Sequence, residues 1–234
     1  MKKLSIVAFF ISITFSGLAL SLETKSADLN ALSKAREAEI NDFSQRLKSE
    51  TGAALLATAD LITGSGISDL GLLKEVEVVL DKVFTKHVSN RKKDKRVAEE
   101  LHRLLRTHAS FGSPTSLNYI NKTINQTKKA VRTRARRLKP KVSWFKERNS
   151  IMQQADHYEA LQHIMTHRYI NLILSNNYSV RRWGLEELSR QENAEPIVFE
   201  TMRKVLKNEM LQIQNDLHLD SLAWICKTLA RSDA

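Results

Sequence analysis

Glu159, His163 and His167 are the residues whose types and spacing most suggest chemistry. On a helix they fall at i, i+4 and i+8 and share one face, where two imidazoles and a carboxylate can chelate zinc or copper. The order differs from the His-Glu-x-x-His arrangement of metal-dependent proteases. The face lies opposite Leu161 and Met165, so plain solvent exposure is its expected fate. Nucleophilic chemistry has less support. The chain has no Gly-x-Ser-x-Gly elbow and no Gly-rich phosphate loop. Its single cysteine, Cys226, sits among apolar residues and is expected to pack as a small hydrophobe. Neither a catalytic residue nor a cofactor follows from these patterns.

A basic run is the stronger signal. Lys128 to Lys141 holds eight cations and no acid. With Val131, Ala135 and Leu138 facing inward, Lys128, Lys129, Arg132 and Arg136 project outward. Arg91 to Arg96 forms a second cluster. Such density repels itself unless an anion is near. The candidate partners are an acidic protein, the anionic headgroups of a cell envelope, and nucleic acid. The partner-binding candidates are Lys128, Lys129, Arg132, Arg136 and Arg137, followed by Arg181 and Arg182.

These residues need elements to hold them, and composition narrows the choice. The chain has 234 residues with only 7 Gly and 3 Pro, too few turn formers for a β-sandwich or barrel. Apolar residues make up 42%, enough for a packed core, and net charge is +11. One cysteine excludes an internal disulfide framework and a cysteine-based zinc cluster. Lys2 and Lys3 precede an uncharged apolar stretch to Leu20 that ends in small residues, the layout of a cleaved secretory signal over residues 1–21. The protein is therefore expected in the periplasm or outside the cell.

The remainder reads with helical period. Leu72, Val76, Val79 and Val83 line one face, as do Tyr158, Leu161, Met165 and Leu172. Further faces are Val198, Met202, Val205, Met210 and Ile213, then Leu219, Leu222, Cys226 and Leu229. Nine or ten helices and no sheet are predicted. The breaks fall at 64–66, 90–94, 111–114, 140, 176–177 and 193–196. Residues 24–110 form a helical N-terminal part, and residues 114–234 form helix pairs packed on it.

An internal repeat is also present. Trp183, Leu188 and Arg190 recur as Trp224, Leu229 and Arg231 at an offset of 41, with one helix between. Residues 174–188 contain a leucine-rich helix end, an Asn turn, Val180-Arg181, the small Gly184, and Leu188. This stretch resembles the signature of HEAT-like repeats, and the resemblance covers mainly 157–231. A weaker copy at 130–138 matches through Val131, Arg132 and Ala135. The resemblance implies a short all-α solenoid of stacked antiparallel helix pairs that binds rather than catalyses. It also implies that Arg181 braces its own repeat by pairing with an acid. The expected function is an exported, non-catalytic scaffold whose basic helix steers an acidic partner. A nucleic-acid-binding protein and an enzyme acting on envelope polymers are the alternatives. The terminal helix has only a short polar cap, which leaves a dimer through the C-terminal face open.

Overall fold

Eleven α-helices make up the regular structure of the described residues in a computed structural model. These residues are 4–89, 94–159, 162–191 and 194–232, with side chains described from residue 27 onward except at 129 and 232. The helices are α1 (Leu4–Ser49), α2 (Gly52–Ser65), α3 (Leu70–Ser89), α4 (Lys95–Ser110), α5 (Thr115–Gln126), α6 (Lys129–Leu138), α7 (Lys141–Met152), α8 (Ile164–Leu174), α9 (Tyr178–Leu188), α10 (Pro196–Glu209) and α11 (Asp216–Ser232). The fold is all-α, and no strand occurs among the described residues. The side chains of the segment read as a secretory signal lie outside the described residues, as do positions 91–93 of the second basic cluster. No helix among the described residues is long and apolar enough to cross a membrane.

Local chemistry sets the helix ends. Asp94 caps α4 by accepting from the Arg96 amide at 2.8 Å, and Asp69 accepts from the Leu72 amide at 2.8 Å at the start of α3. Asn177 accepts from the Val180 amide and opens α9. Pro196 begins α10, where its missing N–H costs nothing. Gly66 closes α2 in the left-handed conformation, φ 73°.

Three linked cores bind the helices, and a smaller cluster of Leu32, Tyr158 and Ile164 joins α1 to the start of α8. Phe43, Leu47, Ile62, Leu72 and Val76 join α1, α2 and α3. Leu80, Leu101, Leu104, Ile120, Val131 and Phe145 join α3 through α7. Met152, Leu172, Val180, Leu185, Met202 and Ile225 join α7 through α11. Val79 touches the first two cores and Trp144 the last two. In the C-terminal half α8 packs on α7, α9 and α10, and α11 packs on α9 and α10.

Four predicted features differ. The helix expected over 115–139 is broken at 127–128. There the Thr127 amide and hydroxyl both bond back to the Thr123 carbonyl, and Lys128 is extended. The helix expected to run through Met210 and Ile213 stops at Glu209, whose carboxylate is held by Arg181 and His218 while the chain turns into α11. Met210 and Ile213 are consequently exposed. Tyr158 is buried but lies in the irregular segment before α8, not on a helical face. On α11 the inward face is His218, Ser221, Leu222, Ile225 and Thr228, which leaves Leu219 and Cys226 in solvent.

Candidate partner-binding face

The basic run folds as α6, a ten-residue helix whose sole apolar anchors are Val131, Ala135 and Leu138. All three are buried against α4 and α7, as their spacing predicts. Everything else on α6 except Ala130 and Thr133 is cationic. Lys128, Arg136, Arg137, Lys139 and Lys141 are exposed, and none has a carboxylate partner among the described residues. Arg132 is half-buried and its Nε donates to the Thr127 carbonyl at 2.9 Å, so it helps hold the α5–α6 turn. Lys129 begins the helix, and its side chain lies outside the described residues. Arg134, not singled out by its sequence position, pairs with Glu99 of α4 at 2.6 Å.

That pair docks α6 electrostatically. Glu99 also accepts from Arg103, which reaches Asp60 of α2 at 3.0 Å. The hydrogen bond from Arg134 is the main reason the Glu99 carboxyl titrates below its ordinary range. All four side chains are well exposed, so the chain of pairs contributes orientation more than stability.

Arg181 is not available to a partner. It is fully buried and makes a two-pronged pair with Glu209 at 2.6 and 3.0 Å. Its Nε donates to the Ser175 carbonyl, and its guanidinium lies 5.1 Å from the Tyr178 ring. Taking a guanidinium out of water requires such a geometry, which binds Arg181 to its own fold. Arg182 is half-exposed and holds Asp220 of α11 at 2.8 Å. Both arginines therefore tie α9 to the following hairpin rather than pointing to a ligand.

Glu159, His163 and His167 do not share a helical face. Helix α8 starts only at Ile164, so Glu159 lies outside it. His163 is the α8 N-cap, its Nδ1 accepting from the Met165 amide at 3.2 Å. His167 is fully buried, with Nε2 2.6 Å from the Gln154 carbonyl and its ring edge-on to Tyr158. No cluster of three potential metal-ligating side chains occurs among the described residues.

Sequence reasoning missed two buried arginines, Arg168 and Arg148. Arg168 of α8 grips Glu39 of α1 through two 2.7 Å bonds, closing the N-terminal helix onto the C-terminal half. Arg148 of α7 has neutral partners only, the Asn149 side chain and the Thr63 carbonyl. It sits among the Trp144, Phe145 and Trp183 rings, and burial pulls its pKa down to about 9. The one available signal was the spacing of Arg148 three and four residues after Phe145 and Trp144, which puts all three on one helical face. His218 could look catalytic beside Glu209, yet both ring nitrogens are used: Nε2 pairs with Glu209 at 2.8 Å and Nδ1 accepts from the Gln214 amide. No lone pair remains to take a proton from a substrate.

Acid sensitivity follows from the buried imidazoles. Burial is the main cause that holds His102, His108 and His167 below the ordinary value of 6.5. The unfolded chain therefore binds protons at these sites before the folded chain does, and stability falls as pH drops below that value. Glu99 and Glu209, which titrate below 4.5, add a second loss at lower pH. The urea midpoint is expected to be lower at pH 5.5 than at pH 7.5. A midpoint that is flat or rises on acidification contradicts this.

No protein-family model, no curated protein and no solved structure matches this chain.

Proposed function

We propose that the chain is an exported, non-catalytic scaffold that binds an acidic macromolecule through the outer face of α6. The supporting observation is the contrast in charge pairing. Arg134, Arg168, Arg181 and Arg182 all meet carboxylates, whereas the outer cations of α6 meet none among the described residues. Unpaired like charges on one short helix raise the local potential and steer an acidic partner into register. An acidic protein or an anionic envelope component fits this chemistry, and export disfavours nucleic acid.

The scaffold itself is read as a short HEAT-like solenoid over α8–α11. Several features support that reading. Helices α8 and α11 each pack on both α9 and α10, so two hairpins meet through their outer members, as stacked helix pairs require. Gly184 lets α9 approach α8 so closely that a Cβ there would lie 2.9 Å from Leu172. Trp183 and Trp224 are both half-buried beside the same core, each with a guanidinium from an earlier helix over its ring, Arg148 at 5.0 Å and Arg182 at 5.9 Å.

The test uses Arg136→Glu, Arg137→Glu and Lys139→Glu combined, because these exposed residues make no side-chain hydrogen bond or ion pair among the described residues. Binding of labelled polyglutamate and of phosphatidylglycerol vesicles is measured across a salt series. Wild type is expected to bind at least one of these probes and weaken with salt. The variant is expected to keep its helical circular dichroism and lose binding by at least about tenfold. Equal binding by the two proteins removes α6 as the site. Failure of wild type to bind either probe at low salt removes the proposed function.

A further inference from the structure

Exposed large apolar side chains are concentrated at one end of the fold. Met210, Leu211, Ile213, Leu217 and Leu219 all lie in the last turn and in the first part of α11, with Leu211 87% exposed. Isolated apolar residues on a surface need no explanation, but five within ten positions do. Along α11 the outward side continues the pattern. Leu219, Ala223, Cys226 and Ala230 are all exposed and spaced four, three and four apart, so they form one stripe. The spacing is that of a helix seam, yet α11 packs on α9 and α10 through its opposite side.

Charge along the edge of this stripe is divided by position. Asp216 and Asp220 flank its first half, and Lys227 and Arg231 flank its second. Asp220 remains 45% exposed while it holds Arg182, which leaves its carboxylate able to accept from a second cation. When two copies of such a helix pack antiparallel about a two-fold axis, the same edge of each helix meets. The acidic half of one then lies against the basic half of the other. In a register within one turn of that pairing, Leu219 faces Ala230 and Ala223 faces Cys226, so the one large side chain of the stripe meets a small one. A parallel pairing brings neither match.

We infer that the outer face of α11 is a homodimer interface in which two copies pack antiparallel, with Leu219 seated over Ala230 and Asp216 and Asp220 opposite Arg231 and Lys227. Closed two-fold dimers are the commonest assemblies, because one self-complementary patch suffices. The apolar turn at 210–213 leads into α11 and continues its exposed apolar surface. An anionic bilayer is a poorer occupant, because Asp216 and Asp220 would face its headgroups. The inference is independent of the cationic face on α6.

Sedimentation velocity of the purified chain is expected to give a dimer at micromolar concentration. Ala223→Glu places a charge in the seam at a residue already in solvent. It is expected to weaken association at least about a hundredfold, with circular dichroism and melting unchanged. Mild oxidation of Ala223→Cys, which brings a thiol opposite Cys226, is expected to yield a covalent dimer. A monomeric wild type, or an Ala223→Glu variant that dimerises as tightly, overturns the inference. Monomers that still float with phosphatidylglycerol vesicles when Arg136, Arg137 and Lys139 are all changed to Glu would overturn it too, assigning the apolar turn to lipid.

Discussion

Gly112→Ala is expected to lower the unfolding free energy by about 3–5 kcal/mol, a large share of what a domain of this size possesses. Two independent costs combine. Gly112 has φ 67°, a backbone conformation that a Cβ disfavours. The backbone of α7 also passes directly over it. A Cβ at 112 would lie 2.5 Å from the Lys146 Cα and 2.6 Å from its amide nitrogen, and main-chain atoms cannot rotate aside. The α4–α5 turn and α7 would have to separate, opening the core that anchors α6. Gly64→Ala is the control. Its Cβ would meet nothing within 4 Å, and it lies inside α2, where alanine is favoured by about 1 kcal/mol. Urea unfolding of both variants decides the matter. If Gly112→Ala costs less than about 1 kcal/mol, the close approach of α7 is wrong.

Asn149→Ala is the second large effect, at about 3–5 kcal/mol. The Asn149 oxygen accepts from both Nε and Nη2 of Arg148 at 3.0 and 2.7 Å. Its amide nitrogen donates to the Ser110 carbonyl at 2.8 Å and to Ser68 Oγ at 3.0 Å. Both residues are essentially inaccessible to water. Truncation thus strands a buried cation with only the Thr63 carbonyl and three aromatic rings, and leaves the Ser110 carbonyl unpaired as well. Asn149→Asp separates the two contributions. It offers Arg148 a carboxylate but no donor to Ser110, so its cost should fall between zero and that of alanine. In an Arg148→Met background the alanine change should cost at least about 1 kcal/mol less, and additive costs would show that the pair is not coupled.

The candidate face was legible because α6 is a local feature. Three apolar residues at helical spacing fix which side is buried, and composition alone makes the other side cationic. That Arg132 braces a turn and Arg134 pairs with Glu99 was not legible, since both partners depend on where α5 ends and how α4 lies. Arg181 shows the limit most clearly. The resemblance to HEAT-like repeats implies that it pairs with an acid of its own repeat, but not which acid. In the fold it is buried on Glu209, 28 residues away. The histidines fail for the same reason, because a helix that begins at Ile164 rather than before Glu159 turns a shared face into three unrelated environments.

Helix identity, most breaks and the inward faces of α3 and α6 were settled by residue spacing and by the scarcity of glycine and proline, because these act within a turn or two of the chain. Which face of α11 is buried was settled only by packing. Its sequence offers two apolar strips, and a helix docked on α9 and α10 can bury just one of them. The tertiary structure chose Leu222 and Ile225 and left Leu219 and Cys226 to water, a choice between nearly equal hydrophobic faces that depends on neighbours far along the chain.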